Sequence, residues 1–224
     1  MKSPQGILRR AAAILLLALS AAPLWAAQDP KPNPKLALRP ESRLWLEGDS
    51  TLHAYSSTAT KVSVEGEIEG PATLKRTLIG LAREKGLKGL AFRIPVQGLK
   101  SGKAGLDKNM RRALKADEFP EIVLRLEAYI LAPQVAGAGI FQVRAAGRLE
   151  VAGKESTLEL EAQASAADGR LRVRGVRELL MTDFGIKPPT MLLGALKTED
   201  RVVVHYDLVL GLDEEPGMET RREP

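Results

Sequence analysis

Apolar and polar residues alternate with a period of two along most of this chain, and a short stretch of helical spacing separates two of the clearest runs. Phe92, Ile94 and Val96 alternate with Arg93 and Gln97, and Ile122, Leu124, Leu126 and Ala128 alternate with Val123, Arg125 and Glu127. One apolar face at that period predicts half-buried antiparallel strands. Between them Leu106, Met110, Ala113 and Leu114 fall at helical spacing and leave Arg111, Arg112 and Lys115 in water, so a short amphipathic helix joins two central strands.

The same alternation continues elsewhere. Val62, Val64 and Ile68 form one face, then Phe141, Val143, Ala145, Leu149 and Val151, then Leu158, Leu160, Ala162 and Ala164. Leu171 and Val173 alternate with three arginines, and Val202, Val204, Tyr206, Leu208 and Leu210 close the series. With a first strand near residues 44–52, these runs predict about eight antiparallel strands. The phase slips near Gly175, which predicts a bulge there. Residues 73–86 fit a strand or a helix. A sandwich and a closed barrel both satisfy this pattern.

The two ends read differently. Residues 1–26 carry Lys2, Arg9 and Arg10 ahead of an apolar run at 11–22, with Ala26 and Ala27 as small residues for cleavage. That is the pattern of a secretory signal, and it predicts export to the periplasm. Residues 27–40 hold Pro30, Pro32, Pro34 and Pro40 and are expected to be an extended tether. Residues 213–224 are almost free of apolar side chains and are expected to be disordered. The folded domain is placed at 41–212.

Composition removes several function classes. The formal net charge of +5 includes the three cations of the signal segment, so the mature chain carries only +2. Nucleic-acid binding, which needs a clustered basic face on the domain, is not expected. There is no cysteine, so stability rests on packing alone. His53 and His205 are the only histidines, with no metal-ligand spacing between them, and no metal or cofactor is expected. No nucleophile elbow or glycine-rich phosphate loop occurs, and the chain is not expected to be an enzyme. Asp183 could meet His53 only through the fold; the plainer role for Asp183-Phe184-Gly185 is a turn with Phe184 in the core.

Four segments, in order, resemble the YceI-like family. IPVQGLKSGKAGLDKNMRRALKADEFPEIVLRL, residues 94–126, resembles its central strand–helix–loop signature ending in Phe-Pro. GRLEVAGKESTLELEA, residues 147–162, resembles its following hairpin, with the tight turn at Ala152 and Gly153. MTDFGI, residues 181–186, resembles its Asp-Phe-Gly element, and EGDSTLHAYSS, residues 47–57, resembles a Ser-Thr-Leu-His branch. The resemblance implies an all-β, lipocalin-like antiparallel barrel whose apolar interior holds a lipophilic small molecule, an isoprenoid or other amphiphilic lipid.

On that reading the candidate lining residues are Phe92, Ile94, Val96, Ile122, Leu124, Leu126, Phe141, Val143, Leu158, Leu160, Val173 and Leu208, with Arg111 or Arg112 as polar groups at the mouth. Ala128, Ala145, Ala162 and Ala164 pattern inward and would leave room. The basic residues Lys100, Lys103, Lys108, Arg111, Arg112 and Lys115 either meet an anionic head group or membrane surface, or form a solvated helix face. The alternative function is an envelope protein-interaction module without a bound ligand, docking through the apolar loop at residues 188–193. Oligomeric state is not legible.

Overall fold

Period-two segments become one continuous antiparallel sheet. The computed structural model describes residues 34–69, 77–135, 139–191 and 196–213. Residues 1–33, which hold the expected signal segment and the first part of the expected tether, residues 214–224 of the expected tail, and Leu192 and Leu193 of the apolar loop lie outside the described residues. The strands are β1 (Lys35–Leu38), β2 (Arg43–Ser50), β3 (Tyr55–Ala59), β4 (Ser63–Ile68), β5 (Leu87–Pro95), β6 (Leu99–Lys100), β7 (Glu121–Val135), β8 (Ile140–Val151), β9 (Lys154–Ala167), β10 (Arg170–Leu180), β11 (Thr190–Met191) and β12 (Leu196–Asp213). Among the described residues twelve strands replace the expected eight or so, but eight of them hold six residues or more. The others are short pieces that alternation cannot register.

The hydrogen-bonded path runs β4-β5-β7-β8-β9-β10-β12-β2-β3-β6, every pairing antiparallel. It curls back on itself, because β6 follows β5 in the chain after a single 3-10 turn at Val96–Gly98. The fold is therefore a lipocalin-like barrel, with its inner face apolar and its outer face charged. Two hairpins turn on residues held in the left-handed region: Ala152 and Gly153 (φ 51° and 78°), and Asp168 and Gly169 (φ 50° and 71°). Successive left-handed residues match the twist of the flanking strands.

Residues 73–76 of the ambiguous segment lie outside the described residues; the rest holds helix α1 (Leu78–Arg83), capped by the Thr77 side chain, which accepts from the Gly80 amide at 3.3 Å. Leu78, Leu81 and Ala82 are buried at three- and four-residue spacing and plug one end of the barrel. Helix α2 (Ala104–Ala113) is the one expected between two central strands.

Four expectations need correction. Residues 35–38 are not tether: Leu36 is buried, and β1 pairs with the end of β12, from Lys35 opposite Asp213 to Leu38 opposite Leu210. Proline spacing hid a strand that starts just after Pro34. Asp213 likewise belongs to β12 and binds Arg39. Pairing through Gly175 is regular, with Tyr206 opposite it; the glycine is there because a Cβ would lie 2.2 Å from the Tyr206 hydroxyl. The bulge falls in β7 instead, between Leu126 and Ala128. It reverses the phase, so that Ala128 points outward, exposed, and Tyr129 and Leu131 turn inward.

Outer-face ion pairs cross most strand junctions, each worth roughly 0–1 kcal/mol when exposed. Arg172 and Asp207 form the best of them, two parallel bonds at 2.6 Å with Asp207 19% exposed, and Arg174 adds a third at 3.1 Å. Hydrogen bonds from Arg172, then the charges of both arginines, hold the Asp207 carboxyl below its usual range. A lowered folded-state value means the unfolded chain binds more protons in acid. The contribution is full above the unfolded aspartate value of about 3.9 and fades as pH falls through the folded one. Asp207→Asn is therefore expected to lower the melting temperature at pH 7, with the gap to the parent closing below about pH 4. Melting curves followed by circular dichroism from pH 7 to pH 2 check this; a gap constant with pH would show that Asp207 acts by shape alone.

Candidate functional site

Ten of the twelve lining candidates share one wall. Phe92 and Ile94 of β5, Ile122, Leu124 and Leu126 of β7, Val143 of β8, Leu158 and Leu160 of β9, Val173 of β10 and Leu208 of β12 surround an interior cavity of about 490 Å³. Phe92, Leu124, Leu126, Val143, Leu160 and Val173 are only half-buried although they face inward, so their free surface is the cavity wall. Small inward side chains help to keep the interior open. Ala145 and Ala162 line it, while Phe141 joins the cluster at the α1 end and Phe119 lies against Gly153 outside it. Volumes of this order suit one elongated small molecule.

Two candidates lie elsewhere. Phe141 packs with Leu36, Leu78, Ala164 and Leu210 in the plug beneath α1. Val96 sits in the 3-10 turn that carries the chain from β5 to β6, 1% exposed and off the wall. Its place in the alternating run is lost because the strand ends at Pro95.

The cavity opens at the end opposite α1. Among the described residues every exposed one on its lining lies there: Leu52 and His53 in the β2–β3 connection, Lys103 before α2, Arg177 and Leu180 at the end of β10, and Lys197 in β12. Leu149, Val151, Phe184 and Ile186 form the packed wall beside that mouth. Phe184 comes from the 3-10 turn Met181–Phe184, closed by Gly185 at φ 66°, as the Asp-Phe-Gly reading expects.

Helix α2 covers part of the mouth with Leu106, Asn109, Met110 and Ala113. It is tied down by Asp107, 7% exposed, whose carboxylate accepts from the Ser101 amide at 2.8 Å and the Ser101 hydroxyl at 2.5 Å. Those bonds, with Lys100 and Arg111 nearby, keep the Asp107 carboxyl below its usual range. Arg111 and Arg112 are not mouth groups. They sit with Lys108 and Lys115 over a surface depression bounded by Gln97, Asp117 and Glu118, because the stripe that faces the cavity leaves them on the helix's far side.

The wall carries few polar groups, and most are accounted for. Tyr129 donates to the Leu87 carbonyl at 3.2 Å and accepts from the Leu87 amide at 3.3 Å; Tyr206 donates to the Glu161 carbonyl at 3.1 Å. Burial raises both phenols above their ordinary value, and that of Tyr55. Lining residues not among the candidates include Leu44 and Leu46 of β2, inside the strand expected at 44–52, and Tyr55 and Ser57 of β3. Ser57 is 1% exposed and its Oγ has no partner. His53 and Asp183 form no bond with each other, and among the described residues no group of three His, Asp or Glu could hold a metal. The wall offers apolar surface, inward phenols and the buried Ser57 hydroxyl, and at the rim the Ser50 hydroxyl bonds the His53 backbone rather than its ring.

Residues 46–210 match the YceI-like domain model. Among solved structures the chain is similar to a polyisoprenoid binding domain from Saccharophagus degradans implicated in plant cell wall breakdown (12% identity, 79% of this chain and 98% of that one, TM-score 0.57). It is also similar to BcnA of Burkholderia cenocepacia (15% identity, 75% and 95%, TM-score 0.53) and to a Campylobacter jejuni YceI variant holding a monobromobimane guest (14%, 71% and 85%, TM-score 0.50). No curated protein matches. At these identities the structural likeness bears on the fold alone. The domain match runs from the middle of β2 almost to the end of β12, and this chain belongs to the YceI-like family.

Proposed function

We propose that this protein is an exported, non-enzymatic binding protein that holds the tail of a lipophilic small molecule, an isoprenoid or other amphiphilic lipid, inside its barrel. The observation that carries this reading is the apolar cavity of about 490 Å³ open at one end. Each methylene moved from water to such a wall gains about 0.8 kcal/mol. A tail of about six methylenes gains roughly 5 kcal/mol, near the lower bound for the loss of free motion on binding, whereas about fifteen gain roughly 12 kcal/mol. Long tails are therefore the favoured guests. The Saccharophagus domain is described as polyisoprenoid binding, which supports the same ligand class.

The charged segment Lys2, Arg9 and Arg10 before the apolar run supports export, with the barrel acting in the periplasm. The outward patch of Lys108, Arg111, Arg112 and Lys115 supports peripheral contact with an anionic membrane surface, where such lipids are exchanged. Extraction of the purified protein with organic solvent, followed by mass spectrometry, is expected to release one long-chain lipid per chain. A protein that yields none, and that does not enhance the fluorescence of N-phenyl-1-naphthylamine, would overturn the reading.

A further inference from the structure

One buried polar atom interrupts the apolar wall. Ser57 lies in β3 opposite Leu46 and points inward, whereas its neighbours Ser56 and Thr58 are exposed. Of the other inward phenols, those of Tyr129 and Tyr206 are engaged by backbone groups, and that of Tyr55 belongs to a residue only half-buried and nearer the rim. The Ser57 Oγ has no partner. Among the described residues the only other buried side-chain atom without a partner is the Nε of Arg39, which is not on the wall. Buried hydroxyls are ordinarily bonded, and one left unpaired destabilises the fold that holds it. An alanine would pack there without that penalty.

We infer that Ser57 is the specificity-determining contact of the cavity, bonding a neutral oxygen (an alcohol, carbonyl or ether) carried by the ligand. The inference rests on the proposed lipid-binding reading and sharpens it. Tyr55, the first residue of β3, follows the rim residue His53 closely, and Ser57 is two residues further in, about 7 Å along the strand. Thr58, the next residue, pairs with Lys100 on the segment that leads into α2. The oxygen therefore sits just inside the mouth, beside α2, and the tail runs toward the α1 plug.

The charge of the site argues for a neutral group. Among the described residues Lys103, Arg177 and Lys197 are the cations on the lining, and all three are exposed at the rim. An ionised carboxylate or phosphate drawn in to Ser57 would lose its hydration with no cation to replace it. A plain hydrocarbon would leave the hydroxyl unpaired.

Farnesol and farnesene test this, since they share a carbon skeleton and differ by the hydroxyl. Each is titrated against N-phenyl-1-naphthylamine bound to the full-length mature protein. Ser57→Ala is expected to weaken farnesol about tenfold, the effect of one hydrogen bond, and to leave farnesene unchanged. Ser57→Cys, nearly isosteric and a poor donor, is expected to reproduce the loss, and both variants should melt no lower than the parent. Equal losses for the two probes, or an unchanged farnesol affinity, overturn the inference while leaving the lipid-binding reading in place. A parent protein that binds neither probe overturns both.

Discussion

Val143→Trp is expected to abolish ligand uptake while leaving the barrel folded. Val143 faces the cavity from β8, paired with Leu131 on one side and Ala162 on the other. Its wall neighbours are small or half-buried, so an indole projects into open space rather than into packed atoms. The ring occupies the path of the tail. If about four methylenes are displaced, the loss is roughly 3 kcal/mol, or more than a hundredfold in affinity. Overpacking typically costs 1–3 kcal/mol in a filled core. Here the added apolar burial offsets that cost, and the melting temperature should move by no more than a few degrees.

The matching control is Ile130→Trp. Ile130 is on the same stretch of β7 but points outward, 62% exposed, because the bulge has turned Leu131 inward. It should leave binding untouched. N-phenyl-1-naphthylamine titration of the two variants and the parent measures both effects. If Val143→Trp binds like the parent, the guest does not lie in the barrel, and the outer surface becomes the place to look.

Much of this architecture was legible because the strongest strands alternate without interruption. Residues 141–151 and 158–164 present clean apolar faces, and both line or flank the cavity. The stripe on α2 was legible for the same reason, and reading it correctly is what moves Arg111 and Arg112 away from the mouth. Their place depends on how the helix is seated, which its own sequence does not encode. Strand β3, Tyr-Ser-Ser-Thr-Ala, has no apolar alternation to read, so Ser57 becomes visible only through its register with Leu46. The cavity itself is a difference between the volume enclosed and the volume filled. Inward alanines hint at it, but one of the four, Ala128, turned out to face solvent. That error traces to a glycine far along the chain.

The glycine is Gly147, and Gly147→Ala is expected to be the most damaging small substitution in the sheet. Gly147 pairs with Leu126 on one side and Leu158 on the other, while Ala146 already pairs with Ala128, so Glu127 is the extra residue of the bulge. The bulge presses β7 onto β8: a Cβ on Gly147 would stand 2.2 Å from the Arg125 carbonyl oxygen and 3.0 Å from the Leu126 Cα. Those are backbone atoms held by ladders on both sides, and no side-chain rotation relieves them. A loss of about 3 kcal/mol follows by analogy with overpacked cores, lowering the melting temperature of a domain this size by roughly 6–12 °C. Gly105→Ala in α2 is the counterpart, since nothing lies within 4 Å of its Cβ position and a helical alanine should stabilise by about 0.4–1 kcal/mol. The damage also has a functional signature. The bulge is what turns Tyr129 and Leu131 inward, and Tyr129 bonds both the amide and carbonyl of Leu87. If the variant escapes strain by straightening β7, the Leu87 amide should lose hydrogen-exchange protection and lipid affinity should fall together. A Gly147→Ala protein that melts with the parent, and protects Leu87 as well, would mean that β7 finds its inward phase without the bulge.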